Sequence, residues 1–337
     1  MRPFLYERAA TAESAVQAAG SPAPSAIQSS RQFIAGGTNL SDYMRLDVMR
    51  PEALIDLNGL DRDRLGRISL SDQGLRLGAL VRMSEAEDHE GVRSRYPVIA
   101  DTLKLAASRQ IRNMASLGGN VLQRTRCAYF RETSWPCNKR APGSGCSAIG
   151  GVNRQHAILG VSDSCIAAYP GDFAQALIAL DATVDTLGPK GPRRLFFAEL
   201  HRLPGNTPEI ETVLEPGELI TAIDVPAGPW TRRSLYLKVR DRDSFAFALA
   251  SAAVALDLDG DVVRNARLAL GGVATVPWRA REAERVLKGR LLDEAAAQAA
   301  ADAAFAEAKP SGFSSFKLAL GKQTVVRALL EAKAMVI

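Results

Sequence analysis

The sequence contains little that suggests a membrane, secreted or nucleic-acid-binding protein. None of its apolar runs approaches the ~20 residues that a membrane-spanning helix needs. The first residues, Met1 to Glu7, lack the charged start, apolar segment and small-residue cleavage site of a signal peptide. No run of Lys or Arg is long enough to follow a phosphate backbone, and only 6% of the residues are aromatic. We therefore expect a mildly basic protein that is made in the cytoplasm, binds no nucleic acid and could be exported to the periplasm with a signal-bearing partner.

Several familiar cofactor motifs are also missing. The sequence has neither a Walker phosphate loop nor the G-x-G-x-x-G dinucleotide fingerprint. The closely spaced cysteine pairs of zinc sites and the Cys-x2-Cys-x2-Cys run of ferredoxins are absent as well. The three histidines stand isolated in the sequence, so we assign them no role.

Cysteine is scarce, and all of it lies in one stretch between Ser116 and Asp172. The four residues are Cys127, Cys137, Cys146 and Cys165, spaced Cys-x9-Cys-x8-Cys-x18-Cys. Such wide spacing suits an Fe–S cluster, because each thiolate can come from a separate turn. From 121 to 165, six Lys and Arg residues stand against two Asp and Glu residues, a net charge of +4 that would offset a negative cluster. Free thiols, disulfides and a zinc site are the alternatives.

Two glycine-containing loops are candidates for binding a phosphorylated cofactor. Residues 33–40 read Phe-Ile-Ala-Gly-Gly-Thr-Asn-Leu, and residues 115–120 read Ala-Ser-Leu-Gly-Gly-Asn. Gly36 and Gly37 allow the backbone to approach a ligand and to turn N–H groups toward it, while Thr38 and Asn39 add side-chain donors. This pattern predicts a phosphate cradle, and an ordinary tight turn is the alternative.

The remaining pattern predicts a mixed helix and strand organisation. Alternating apolar residues indicate strands at 182–187, 234–240 and 262–273. Amphipathic periodicity indicates helices at 97–110, 278–287 and 322–336, and Asp172 is a candidate N-cap for a helix reaching Leu180. The Pro/Gly cluster at 226–229 is the predicted domain boundary.

Three separated segments occur in the same order and at similar separations in one known family. They are residues 33–40, residues 115–120, and Tyr236-Leu-Lys238 followed by Arg240 and Arg242. Across its full length the chain resembles the FAD-binding medium subunit of xanthine dehydrogenase-type molybdenum hydroxylases. The four-cysteine excursion resembles the flavin subunits of bacterial periplasmic aldehyde oxidoreductases, and a related insertion occurs in 4-hydroxybenzoyl-CoA reductase. Both groups carry a [4Fe–4S] cluster there.

The resemblance implies an α+β fold with two domains. Residues 1–226 would form a two-part FAD-binding domain of the vanillyl-alcohol-oxidase/PCMH type, with a cysteine-rich [4Fe–4S] insertion at 121–168. Residues 227–337 would form a smaller domain of the CO dehydrogenase flavoprotein type, made of an antiparallel sheet and helices.

The resemblance also implies the site residues. The four cysteines would bind the cluster, and Lys238 would lie close to the isoalloxazine, where a cation favours the anionic reduced flavin. The residues expected to bind FAD are Phe33, Ile34, Ala35, Gly36, Gly37, Thr38, Asn39, Leu40, Ser116, Gly119, Asn120, Asp172, Ile220 and Lys238.

By the same resemblance, the reaction is divided among the subunits of a heterotrimer. A large partner with the molybdenum cofactor would convert an aldehyde and water to a carboxylic acid, and a small partner with two [2Fe–2S] clusters would relay the electrons. The FAD of this subunit would deliver them to an external acceptor. A stand-alone FAD oxidase of the same fold and a zinc-stapled binding protein are the competing hypotheses.

Overall fold

Strands and helices of similar number make up the computed structural model, which describes all 337 residues. The strands are β1 (Leu5–Arg8), β2 (Arg31–Ile34), β3 (Ala53–Asp56), β4 (Ile68–Leu70), β5 (Gly74–Gly78), β6 (Thr183–Gly188), β7 (Gly191–Phe196), β8 (Leu219–Pro226), β9 (Ser234–Val239), β10 (Ala250–Asp259), β11 (Val262–Gly271) and β12 (Trp278–Arg279). The helices are α1 (Ala12–Ala19), α2 (Leu40–Arg45), α3 (Arg62–Leu65), α4 (Met83–Asp88), α5 (Glu90–Arg95), α6 (Pro97–Lys104), α7 (Arg109–Met114), α8 (Leu117–Val121), α9 (Ala128–Arg131), α10 (Phe173–Ala179), α11 (Phe197–Leu200), α12 (Arg281–Leu287), α13 (Glu294–Ala304) and α14 (Phe316–Ala334). No helix combines the length and apolar character that crossing a bilayer requires.

A three-stranded parallel sheet forms the N-terminal part, in the order β1-β3-β2. Its central strand β3 is buried along its whole length, as expected for a parallel strand covered on both faces. Phe33 of β2 pairs with Ile55 of β3, so β2 ends beside the end of β3. The loop that follows β2 therefore emerges at the carboxyl edge of this sheet and leads directly into α2.

A five-stranded antiparallel sheet forms the second part, in the order β4-β5-β8-β6-β7. β5 pairs with β8, although more than 140 residues separate them along the chain, and Leu77 faces Ile223 in this pairing. A core of 36 buried residues lies against this sheet, with contributions from α6, α8 and α10. The sheet thus carries α8, and with it the second glycine loop, toward the edge of the first sheet.

The C-terminal part is a four-stranded antiparallel sheet, β12-β11-β10-β9, covered by α12, α13 and α14. Its separate core of 27 buried residues is rich in alanine. Ala297, Ala300, Ala301 and Ala304 of α13 are spaced by three and four residues, so they fall on one buried face of the helix. These alanines therefore pack the domain.

Residues 121–168 contain one short helix, α9, and are otherwise built from turns. Their later half is tied to the C-terminal part by backbone hydrogen bonds. Ile158 N donates to Val273 O at 2.8 Å, and Lys309 N donates to Ile158 O at 2.7 Å. The later half of this segment is consequently anchored to the C-terminal part.

Three predicted helices have different limits in the structure, and the one predicted at 322–336 is α14, which begins at Phe316 and ends at Ala334. The helix predicted at 97–110 is two helices, α6 and α7, because Ala107 adopts a positive φ of 47° that a continuous helix cannot contain. The helix predicted at 278–287 begins only at Arg281, since Trp278 pairs with Leu270 as the edge strand β12.

Candidate functional site

A well-formed cleft lies where the loop after β2, the start of α8 and the start of β8 meet. Its cavity volume is about 200 Å³, and more than half of the residues that line it are hydrophobic. The predicted binding residues that line it are Phe33, Ile34, Ala35, Gly36, Gly37, Thr38, Asn39, Leu40, Ser116, Gly119 and Ile220. Three predicted residues, Asn120, Asp172 and Lys238, do not line this cleft.

The first glycine loop offers a row of unused backbone donors. None of the N–H groups of Gly36, Gly37, Thr38 and Asn39 donates a hydrogen bond within the chain. Gly37 has a φ of +71°, which glycine adopts without strain and which turns consecutive N–H groups to one side. Such a concave run of N–H groups binds anions, so the loop has the properties of a phosphate cradle.

The second glycine loop is held against the first. Ser116 caps α8 by accepting a hydrogen bond from Gly119 N at 3.3 Å, and Asn39 Nδ2 donates to Gly119 O at 3.4 Å. Gly36 packs so closely on Met114 that a Cβ there would lie 2.6 Å from the Met114 carbonyl carbon. The two loops therefore form facing walls of one cleft, and glycine at 36 permits their close approach.

Asn120 lies just behind this wall. Its Nδ2 atom contacts Met83 Sδ at 3.3 Å, while its buried Oδ1 atom has no hydrogen-bond partner. An orphaned buried acceptor of this kind is unusual. Because Asn120 does not line the cleft, it is the free N–H groups of the first loop that suit the cleft to a polar, phosphorylated cofactor.

Asp172 and Lys238 form a separate buried ion pair. Lys238 Nζ lies 2.7 Å from Asp172 Oδ2 and also donates to Leu105 O at 3.0 Å, while Tyr236 Oη donates to Asp172 Oδ1 at 2.6 Å. Asp172 begins α10 as predicted, but its carboxylate makes no capping bond because these two donors engage it. Burial raises the pKa of Asp172 above its usual value, and the Lys238 ammonium opposes that rise.

All four cysteines surround one small cavity in the 121–168 segment. The cavity is narrow, with a volume of about 10 Å³, and is lined by Cys127, Cys137, Cys146 and Cys165. Local backbone pairing helps to bring them together. The backbone of Cys137 forms an isolated antiparallel β-bridge with that of Cys146, and the backbone of Cys165 forms one with that of Ser162. No set of three or more His, Cys, Asp or Glu side chains is close enough together to hold a metal ion as the side chains stand. The thiols therefore surround a space, and no two of them form a disulfide.

The Arg140 guanidinium holds the frame of this cavity. It donates to the Tyr129 and Phe130 carbonyls at 2.9 and 2.7 Å, and to the Thr133 carbonyl at 3.3 Å. Lys139 Nζ donates to Pro208 O at 2.9 Å, and this bond ties the cysteine segment to the loop before β8. Part of the basic charge of the segment thus satisfies its own irregular backbone carbonyls.

Cys127 and Cys165 lie in surroundings that disfavour the ionisation of their thiols. Burial raises the pKa of Cys127 to about 12, and the neighbouring Cys137 and Cys165 thiols add to the rise. Burial also raises the pKa of Cys165. Because thiolates are the form that binds metal, only strongly positive irons or another metal would hold these groups deprotonated.

His156 is a residue of this cavity's surroundings to which the sequence analysis assigned no role. Its Nε2 atom lies 3.1 Å from Cys127 Sγ. Burial and the nearby Lys317 lower the pKa of the imidazole to about 4, so the ring is neutral. The two residues are 29 positions apart in sequence, and no spacing rule connects them.

A thin layer of side chains separates the cleft from the cysteine cavity. Tyr43 of α2 lines the cleft, and its ring meets the edge of Phe130, which lines the cysteine cavity, with 6.5 Å between centroids. Tyr43 and Phe130 share one small hydrophobic cluster with Cys137. Arg126 crosses the same boundary, donating to Asn39 Oδ1 at 2.8 Å while its backbone adjoins Cys127. The two sites therefore share a wall.

Two family profiles match the chain. Residues 2–228 match the profile described as "FAD binding domain in molybdopterin dehydrogenase". Residues 235–332 match the "CO dehydrogenase flavoprotein C-terminal domain".

Two relatives match the chain over most or all of its length. The chain is 48% identical over 337 residues to the aldehyde oxidoreductase FAD-binding subunit PaoB of Escherichia coli K12, with 99% of both chains covered. It is 27% identical over 318 residues to the carbon monoxide dehydrogenase medium chain of Hydrogenophaga pseudoflava, covering 90% of this chain and 89% of that one.

Solved structures share the fold over the whole chain. Carbon monoxide dehydrogenase from Hydrogenophaga pseudoflava superimposes with a TM-score of 0.75 at 28% identity, covering 99% of this chain and 98% of that one. Reconstituted CO dehydrogenase from Oligotropha carboxidovorans gives a TM-score of 0.76 at 25% identity, with 99% of both chains covered.

Proposed function

Because the chain belongs to the FAD-binding medium subunits of the xanthine dehydrogenase family, we propose that it is the electron-transfer subunit of a molybdenum aldehyde oxidoreductase. The family and the α+β fold expected from the sequence are both confirmed. The chain is thus part of an oxidoreductase, and FAD is the cofactor of its family. Aldehyde as the substrate class is proposed from the 48% identity to PaoB, whose name includes that activity.

In this proposal the glycine loops hold the FAD pyrophosphate. The free N–H groups of Gly36 to Asn39 would bind phosphate oxygens, and Ser116, Gly119 and Ile220 would line the opposite side of the cleft. The expected contact of Asn120 with the cofactor stays a prediction, because its side chain lies behind the cleft wall. FAD, when bound, supplies the ability to accept electrons and to release them to an acceptor.

The expected role of Lys238 beside the isoalloxazine stays a prediction. Lys238 is paired with Asp172 at 2.7 Å, and both side chains are buried. The pair would therefore act on a flavin as a dipole, and its influence on the reduction potential would be weaker than that of an unpaired ammonium. The contact of Asp172 with the flavin nucleotide likewise stays a prediction.

We further propose that Cys127, Cys137, Cys146 and Cys165 bind a [4Fe–4S] cluster. The observation that carries this proposal is that all four thiols line one cavity, which shares a wall with the cleft. A zinc ion bound by four thiolates at ~2.3 Å is the competing occupant of this cavity, and metal analysis separates the two. When bound, the cluster would supply a one-electron redox centre beside the flavin site.

The complex that we propose is a heterotrimer. A large subunit would carry the molybdenum cofactor and oxidise the aldehyde, and a small subunit with two [2Fe–2S] clusters would pass the electrons to this subunit. The medium-chain and subunit names of the relatives support such partners. The domain division at 226/227 and periplasmic export with a signal-bearing partner remain predictions.

An optical spectrum with metal analysis of the purified complex tests this function. We expect flavin bands on a broad Fe–S shoulder, with FAD and iron in excess of what the [2Fe–2S] partner contributes. Cys137→Ser should lose that excess iron, because Cys137 is one of the four proposed ligands that line the cavity. Lys238→Ala should keep it, because Lys238 has no contact with the cysteine cavity.

Two results would contradict the proposal. A preparation that contains zinc and no excess iron would exclude the cluster while leaving the FAD site intact. A preparation with iron but without flavin, even after addition of FAD, would exclude the cleft as the FAD site.

A further inference from the structure

His156 is the only residue outside the cysteine set whose side chain makes a polar contact with one of the sulfur atoms. Its Nε2 lies 3.1 Å from Cys127 Sγ, and the ring is buried. The second ring nitrogen, Nδ1, is also buried and has no hydrogen-bond partner. The imidazole therefore makes its one polar side-chain contact with a cysteine that the proposed function assigns to the cluster.

The C-terminal part of the chain fixes the position of this ring. His156 N donates to Asn153 O at 3.0 Å, and Asn153 Oδ1 accepts from Phe313 N at 2.9 Å. The next residue, Ala157, donates its N–H to Ile166 O at 2.9 Å. These bonds hold the histidine between the cysteine segment and the start of α14, so its contact with Cys127 is built into the fold.

A thiolate that ligates a cluster accepts hydrogen bonds and cannot donate them. The group that faces Cys127 Sγ must then be the N–H of His156, and the tautomer with the proton on Nε2 provides it. Donors to cluster sulfurs stabilise the more negative, reduced state of the cluster, and they are one of the means by which proteins set its potential.

We propose, resting on the cluster proposed above, that His156 is a positioning residue that donates Nε2–H to the Cys127 sulfur and raises the reduction potential of the cluster. Removing the donor makes the reduced state less favourable. Iron binding survives, because all four cysteine ligands remain.

The test compares His156→Leu, which removes the donor, with His156→Gln, which places an amide N–H near the position of Nε2. The complex is purified for each variant, and its iron content and the cluster's midpoint potential are measured, the latter by a redox titration followed by electron paramagnetic resonance. For His156→Leu we expect full iron content and a roughly tenfold less favourable reduction, which corresponds to about 59 mV for one electron. His156→Gln should recover most of the shift, and the flavin potential should not change.

Tyr129→Phe is the matched control. The Tyr129 ring lies 6.2 Å from the His156 ring, and its hydroxyl accepts from Val152 N without touching any sulfur. This variant should keep the wild-type potential. If it shifts the potential as much as His156→Leu does, the effect comes from packing and the inference is overturned.

The remaining outcomes also decide the question. An unchanged potential in an iron-replete His156→Leu variant overturns the inference, as does loss of iron from both histidine variants. Loss of iron from His156→Leu alone also overturns the inference, because the four cysteines would then fail to hold the cluster without the histidine. Absence of cluster iron from the wild-type complex contradicts the proposed function instead, and the two failures are thereby distinguished.

Discussion

Replacing Gly36 by alanine tests whether the close approach of the two glycine loops shapes the FAD site. A Cβ at this position would lie 2.6 Å from the Met114 carbonyl carbon and 3.1 Å from Ala115 N. These are backbone atoms, so no side chain can rotate away, and the loops must separate by about 1 Å to restore ordinary contact. Overpacking of this kind costs about 1–3 kcal/mol of stability. The cleft that faces the cofactor widens by a similar distance.

The measurement is FAD affinity, obtained by titrating the FAD-depleted complex and following flavin fluorescence. Displaced donors lose part of their hydrogen bonding to phosphate, so we expect Kd to rise at least tenfold, or about 1.4 kcal/mol. Iron content should stay unchanged, because position 36 does not line the cysteine cavity.

Two other glycines provide the controls. Gly20 follows the last residue of α1, and a Cβ there would lie no closer than 3.4 Å to any other atom. Gly20→Ala should therefore change neither the stability nor the FAD affinity appreciably. Gly37→Ala has room for a Cβ but a φ of +71°, so it should lose about 1–2 kcal/mol of stability without forcing the loops apart. Wild-type FAD affinity in Gly36→Ala would refute the reasoning that the separation of the loops governs binding.

Two further predictions concern the wall between the sites and the C-terminal core. Arg126→Ala removes the hydrogen bond to Asn39 Oδ1 and the stacking of the guanidinium on Phe247. It should weaken FAD binding about tenfold without loss of iron, which a fluorescence titration measures. An equal weakening of FAD binding in Arg154→Ala would contradict this prediction. Burial lowers the pKa of Lys317 from 10.5 to about 7. Between these pH values unfolding takes up a proton, so the free energy of unfolding should rise with pH, by up to a few kcal/mol. Urea denaturation at several pH values should show this rise, and Lys317→Met should abolish it. An equal rise in the variant would contradict the attribution of the pH dependence to Lys317.

Local sequence was sufficient where chemistry depends on neighbouring residues. The cradle at 33–40 could be predicted because glycine freedom and the adjacent donors lie within one turn. The convergence of the four cysteines could be expected because an isolated group of thiols in one segment of turns has few other uses. Both predictions concern single segments of the chain.

Contacts between distant residues were beyond sequence reasoning. His156 meets Cys127 only through a turn that the C-terminal part fixes. The pairing of Lys238 with Asp172 joins two elements 66 residues apart and gives Lys238 a partner that its own strand does not suggest. The split of the predicted helix at Ala107 likewise depends on how α6 and α7 pack, since alanine itself favours a helix.

The pairing of β5 with β8 determines when, during translation, the central sheet can form. The central sheet cannot close until β8 leaves the ribosome, and between Gly78 and Leu219 lie 140 residues, which take ~7–28 s to translate at about 5–20 residues per second. All four cysteines are made within that interval. The thiols of the proposed cluster site are therefore exposed before β8 closes this sheet, and the proposed insertion of iron can begin while the chain is still being translated.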